Sequence, residues 1–109
     1  MDVITIKGQA YRVCANFNAL MGFMGLHGYK DFTFLQQEIG YPEWYELMLL
    51  SINEGERLEG RKHDYTKDDF SEVSAVEMLG VITSFIAIFN KQNASEQTAT
   101  QKGTKAKKA

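Results

Sequence analysis

The residues from 13 to 29 include no Asp, Glu, Lys or Arg, and most of them are apolar. Asn16 can cap a helix near the start of this run, and Gly28 can end it. A surface helix of a small domain normally has a charged face, because only one stripe of it meets the core. A helix without charges needs more than one neighbour to cover it. The run therefore predicts an apolar helix with a second packing partner, in this chain or in another molecule.

The side chains of this predicted helix are not all equivalent. One stripe has apolar side chains at helical spacing and is predicted to pack on the core: Phe17, Leu20, Met21 and Met24. Phe23 and Leu26 point elsewhere, and we expect them to show how much apolar surface stays open. Gly22 and Gly25 lie inside the helix, where each is about 1 kcal/mol less favourable than Ala. Two glycines here suggest that another backbone approaches closely.

The distribution of charge divides the chain into two parts. Residues 1–90 carry seven Lys and Arg against thirteen Asp and Glu, a net charge of -6, whereas residues 91–109 carry five Lys against one Glu, a net charge of +4. An acidic body disfavours specific nucleic-acid binding, which needs clustered Lys and Arg. Residues 93–109 also have no large apolar side chain to offset their ordering entropy. The sequence predicts one domain over 1–92 and a disordered Lys-rich tail over 93–109.

The N-terminal residues have the pattern of a β-hairpin. Residues 3–6 and 11–14 are rich in β-branched and aromatic side chains, and Gly8 between them can adopt the positive φ of a tight turn. Two strands alone are marginally stable in water and need a helix packed on one face. We therefore expect the hairpin to pack on the helices that follow.

Turn and capping residues divide the middle of the chain into helices. Asp31 and Gly40 bound a short predicted helix. Pro42 suits the first turn of a longer helix that runs to about Glu54. Residues 56–65 are mostly charged and are predicted to form an exposed connection.

Two capping boxes precede the last predicted elements. Thr66 and Ser74 are each followed three residues later by an acid. They predict a short turn at 67–72 and a last helix from about 75 to 91, whose apolar stripe is Leu79, Ile82, Phe85, Ile86 and Phe89. The expected fold class is α+β, with an N-terminal β-hairpin packed on a small bundle of three to five helices.

The sequence offers no set of side chains for catalysis or metal binding. Cys14 is the only cysteine and is predicted to be a small buried hydrophobe. His27 and His63 lie in different segments, without metal-ligand spacing. We therefore expect no enzymatic activity, no cofactor and no metal. No signal-peptide pattern and no apolar run of about 20 residues is present, which favours a cytoplasmic location without a membrane partner.

Several short motifs follow one another over residues 3–90. They are the strand pair with Gly8 and Tyr11, the helix opening Asn16-Phe17-Asn18-Ala19-Leu20, the segment Ile52-Asn53-Glu54-Gly55 followed by Arg57, and the step Thr66-Lys67-Asp68-Asp69. This order resembles the small tail assembly chaperones of long-tailed bacteriophages and prophages. The resemblance implies a protein that coats the long, hydrophobic, helical tape measure protein before the tail tube polymerises around it.

The apolar residues themselves favour binding rather than catalysis. Segments 16–27, 44–52 and 76–89 either cover one another fully or leave apolar surface for a partner. Met21, Met24, Met48 and Met78 add flexible side chains, which suit surfaces that adapt to different partners. We predict a non-enzymatic chaperone that binds apolar helical segments of a tape measure protein through Phe17, Leu20, Met21, Phe23, Met24 and Leu26. The alternative is a structural or oligomer-forming phage subunit whose apolar helix pairs with its own copies.

Overall fold

A computed structural model describes the backbone over residues 2–30 and 39–108 and the side chains over 2–30 and 39–93. The predicted helix that begins at Asp31 lies outside the described residues, apart from its last two positions.

The N-terminal hairpin is confirmed. Strand β1 (Val3–Ile6) pairs antiparallel with strand β2 (Gln9–Arg12), and Ile6 lies opposite Gln9. Lys7 and Gly8 form the turn with φ values of 51° and 80°. Two positive φ values fit a type I′ turn, whose twist matches that of the strands. The second strand begins two residues earlier than the sequence predicts, because this tight turn lets pairing start at Gln9.

Helix α1 (Phe17–His27) begins and ends where its capping residues predict. The Asn16 side chain accepts a hydrogen bond from the N–H of Ala19 at 3.0 Å. Gly28 adopts a left-handed conformation with φ 70°, and its N–H donates to the carbonyl of Met24. Both ends of the helix are thus satisfied by local groups.

Helix α2 (Tyr41–Leu58) continues beyond Glu54, where the sequence predicts its end. Pro42 lies in its first turn, as expected. Gly55 lies inside the helix, and a Cβ at this position would be 2.2 Å from the carbonyl oxygen of Arg12. No real Cβ contact is that short, so glycine allows α2 to lie directly against the edge of β2.

Residues 56–65, which begin in the last turn of α2, are held more firmly than an exposed connection would be. Glu56 is 3% exposed, and its carboxylate accepts hydrogen bonds from the Arg61 guanidinium at 2.7 and 2.9 Å. The same carboxylate accepts one from the N–H of Arg12 at 3.0 Å. The prediction that residues 56–65 form an exposed connection is therefore wrong at Glu56, since a buried carboxylate fixes this segment to β2.

A 3-10 turn (Lys67–Phe70) and helix α3 (Ala75–Lys108) complete the chain. Thr66 forms the predicted capping box with Asp69, and Ser74 accepts a hydrogen bond from the N–H of Glu77 at 3.2 Å. The backbone of α3 is helical to Lys108, whereas the sequence predicts a helix to about residue 91. The side chains described for α3 end at Asn93, so the predicted disorder of 93–109 remains a prediction.

One core joins all these elements. The hairpin lies over α2 and α3, with β2 against α2 and β1 against α3, and α1 packs on α2. Leu79, which belongs to the apolar stripe predicted for α3, is exposed. Large buried side chains come from every element, among them Ile4, Ile6, Tyr11, Phe23, Leu47, Met48, Ile52, Phe70, Phe85 and Phe89. The architecture is α+β, a hairpin followed by helices, as predicted.

Candidate partner-binding face

Helix α1 contains all six predicted binding residues, and the structure divides them into two sets. Leu20, Phe23 and Met24 are buried, with 7%, 0% and 7% of each residue exposed. Phe17, Met21 and Leu26 are exposed, at 65%, 47% and 66%. In this arrangement the first set belongs to the core, so only the second can contact a partner without unfolding of the helix.

The sequence predicts the wrong buried stripe. It groups Phe17 and Met21 with the core side and places Phe23 away from it, and both expectations are incorrect. The core side is instead formed by Ala19, Leu20, Phe23 and Met24. These positions also repeat at helical spacing, so the helical period alone does not distinguish the two stripes. Which stripe turns inward depends on the way α1 crosses α2.

The exposed side of α1 carries no charge. We call it the open face, and it consists of Phe17, Asn18, Met21, Gly22, Gly25 and Leu26. A Cβ at Gly22 would lie 3.5 Å from Leu50 on α2, and a Cβ at Gly25 would meet nothing within 4 Å. Neither glycine thus faces a described backbone of this chain. The expected close approach is therefore left open to another molecule at Gly25, whereas Gly22 is covered by the Leu50 side chain of α2.

The border of the open face comes from α2, and the sequence did not indicate it. Glu46, Leu50 and Glu54 recur every four residues along the side of α2 that meets α1. Glu54 accepts hydrogen bonds from Asn16 at 2.9 Å and from Asn18 at 3.4 Å, near the start of α1. Glu46 bonds His27 at the other end. The four-residue spacing was visible in the sequence, but the partner helix was not.

The charges on this border are already paired. Glu54 accepts two hydrogen bonds from the Arg57 guanidinium, at 2.9 and 3.0 Å, which together with Asn16 and Asn18 lower the pKa of this carboxyl to about 2. Lys67 lies 2.6 Å from Glu46, and hydrogen bonds from Lys67 and His27 lower the pKa of Glu46. Both carboxylates are ionised at neutral pH and neutralised by neighbours. They do not favour a charged partner.

The methionines contribute less surface than the sequence suggests. Met24 and Met48 are buried in the core, and Met78 is partly buried against it. Met21 is the one of these four that lies on the open face. The expected set of adaptable methionines is therefore reduced at this face to a single side chain.

The remaining candidates for chemistry do not assemble into a site. Within residues 2–30 and 39–93, no three His, Cys, Asp or Glu side chains are grouped as metal ligands. His63 is exposed and contacts the carbonyl of Arg61. His27 contacts the Glu46 carboxylate instead, so the two histidines have different partners. None of the helices, as far as they are described, has the length and apolarity to cross a membrane.

Comparisons with known proteins add no assignment. No family model matches the sequence, and the chain matches neither a curated protein nor a solved structure.

Proposed function

We propose that this chain is a non-enzymatic tail assembly chaperone that binds an apolar helical segment of a tape measure protein on the open face of α1. The order of short motifs along residues 3–90 supports the tail assembly context. The open face supports the mode of binding, since an uncharged helix surface suits the apolar side of a second helix.

The observation that carries the proposal is the exposure of Leu26 and Met21 on a helix face that has no charge. Soluble proteins rarely expose contiguous apolar surface without a use for it. Gly25 lies between these two side chains, and a Cβ at this position would meet nothing within 4 Å, whereas Leu50 of α2 fills the space beside Gly22. A second helix can therefore approach the α1 backbone closely at Gly25, with Leu26 and Met21 on either side of it.

The paired charges of the border define the client further. Since Glu54 is held by Arg57, and Glu46 by Lys67, a charged client residue would gain little there and would lose its hydration. An apolar helical segment without charges is the surface that this face fits best.

The proposal is tested by co-expressing the full chain with the tape measure protein encoded in the same genome. Leu26→Asp introduces a charge on the open face and is expected to abolish co-purification while leaving the thermal transition close to that of the parent. Leu79→Asp is the matched control, because Leu79 is an exposed leucine of a different helix. It is expected to leave co-purification intact.

The alternative, self-association through the same face, gives a different result. A parent chain that remains a closed oligomer on dilution, and a monomeric Leu26→Asp variant, would favour the oligomer-forming subunit. Equal co-purification of the parent and Leu26→Asp would contradict binding at the open face in either form.

A further inference from the structure

The two edges of the hairpin differ in how far the rest of the molecule covers them. The pairing register fixes which backbone groups point outward, because residues of an antiparallel pair alternate between bonded and non-bonded positions. Val13 donates its N–H to the carbonyl of Asp2 at 2.9 Å, which makes this pair a bonded one. The register then requires that the backbone N–H and C=O groups of Ile4 and Ile6 bond to β2. The same groups of Val3 and Thr5 point away from β2.

The outer edge of β2 is closed by α2. The N–H of Arg12 donates to Glu56, and the carbonyl of Arg12 lies against Gly55. One residue beyond the strand, the N–H of Cys14 donates to the carbonyl of Ser51 at 3.0 Å. These contacts also confirm the register, since they use the outward groups of Arg12. A further strand therefore cannot pair with Arg12 at this edge.

The outer edge of β1 is open. Among the described residues, no hydrogen bond reaches the backbone of Val3 or Thr5 from outside the hairpin. Both side chains are exposed and β-branched, and neither carries a charge or a proline that would block pairing. The neighbouring N–H of Lys7 is bound by the Glu77 carboxylate at 2.7 Å. The edge is therefore free at the two positions that a new strand would use.

A groove of about 380 Å³ runs along this edge, between β1 and α3. Its α3 side is formed by Glu77, Gly80, Val81 and Ser84. A Cβ at Gly80 would meet nothing within 4 Å, so the small residue leaves space beside the strand. Val76 lies one helical turn before Gly80 on the same side of α3 and is 83% exposed. The open edge thus has both free backbone groups and room for side chains.

We propose that an extended segment of another protein adds to β1 as a third strand in this groove. Two N–H and two C=O groups at the spacing of a strand are matched only by another extended backbone, which is the chemistry of β-strand addition. The groove favours an apolar side chain over Gly80 and a basic one beside Glu77, which is the charged residue among the described residues that line it. This site is separate from the open face of α1 and does not depend on its role.

A second copy of this chain fits the edge less well. The antiparallel register that uses the outward groups of both Val3 and Thr5 places Asp2 of one copy opposite Ile6 of the other. The Asp2 carboxylate is already paired with Lys91 of its own copy at 2.6 Å and accepts a hydrogen bond from Gln92 at 2.9 Å. The charged side chain that a second copy brings to the Glu77 end of the strand is therefore an ion-paired carboxylate, which gives Glu77 no partner. A basic segment of a different protein can pair with Glu77, which lines the groove.

The test begins with selection of a random peptide library on the full chain, followed by synthesis of the enriched peptides. They are expected to alternate β-branched residues and to contain Lys or Arg. Binding is expected to slow amide exchange at Val3 and Thr5 by roughly tenfold, the size that one net backbone hydrogen bond gives. A peptide N-methylated at the bonding positions is expected not to bind.

Three variants locate the site. Thr5→Pro removes an outward N–H of β1 and is expected to weaken binding at least roughly tenfold. Ala10→Pro is its matched control, since it removes an outward N–H from the opposite edge of the hairpin. Gly80→Leu fills the groove and is expected to prevent binding. Its unchanged thermal transition would show that the domain still folds.

Several results would overturn the proposal. Selection that yields no peptide sensitive to Gly80→Leu would exclude strand addition here, as would equal binding by the N-methylated peptide. If amide exchange at Thr5 slows when the protein concentration is raised without any peptide, the edge of β1 binds a second copy of the chain instead. Loss of peptide binding in Leu26→Asp, with Gly80→Leu unaffected, would place the peptide on the open face of α1.

Discussion

Leu20 and Leu26 lie six residues apart on the same helix, yet one is 7% exposed and the other 66%. Their sequence surroundings are alike, because neither side of α1 carries a charged side chain. The difference comes from tertiary packing, since Leu20 belongs to the core cluster that the hairpin and helices share and Leu26 does not. A charge-free helix is therefore not the same as a buried helix. In this protein, one set of apolar side chains of α1 lies in the core and the other set is exposed.

The largest expected difference is between these two leucines. Leu20→Ala removes buried atoms and leaves a cavity, which should lower the free energy of unfolding by about 2–5 kcal/mol. Leu26→Ala should change it by less than about 0.5 kcal/mol, as is usual for exposed sites. Urea denaturation of both variants measures the contrast. Equal destabilisation would mean that the open face is covered in solution.

Gly55 and Gly25 give a second comparison, between a glycine packed against a backbone carbonyl and a glycine that faces open space. Gly55→Ala forces a methyl group against the Arg12 carbonyl and should lower the stability by about 1–3 kcal/mol, as overpacking does. Gly25→Ala meets open space in a helix and should raise it by up to about 1 kcal/mol. Thermal unfolding of the two variants gives opposite shifts in Tm if α2 closes on β2 as described. An unchanged Tm in the Gly55→Ala variant would contradict the close approach of α2 to β2.

The smallest expected effect concerns the border between the two sides of α1. The pKa of Glu54 is about 2 in the folded chain against an ordinary value of 4.5. A lowered pKa stabilises the fold above pH 4.5, and this stabilisation is lost as the pH falls towards 2. Because Arg57 is partly exposed, we expect a contribution of only about 1 kcal/mol.

Glu54→Gln keeps the acceptor for Asn16 but removes the charge. The variant should therefore be less stable than the parent at pH 7 and approach it below pH 3. Urea denaturation across this range measures the difference. An unchanged difference at all pH values would show that the ion pair with Arg57 contributes nothing.

Local elements of this fold were predictable because their determinants are close in sequence. The turn at Lys7 and Gly8, the caps at Asn16 and Gly28, and the capping box at Thr66 involve residues within a few positions of one another. Helix α2 was predicted too short, since Gly55 near its end looked like a stop signal. Its actual role depends on Arg12, which is distant in the chain.

The open face was only partly predictable. Its lack of charge and its exposed Leu26 followed from the sequence, whereas the burial of Phe23 and the exposure of Met21 did not. Two stripes of α1 have apolar side chains at helical spacing, and periodicity assigns no preference between them. The border residues Glu46, Leu50 and Glu54 were missed because they matter only once α2 lies beside α1.

The sequence alone determined where strand β1 and helices α1, α2 and α3 begin, because hydrogen bonds at turns and caps are made between near neighbours. It also determined that α1 has no charged side. Only the tertiary structure decided which leucine of α1 is core, why Gly55 must be glycine, and which edge of the hairpin stays open. Each of these depends on the relative placement of segments far apart in the chain, since burial is a property of what lies against a residue rather than of the residue itself.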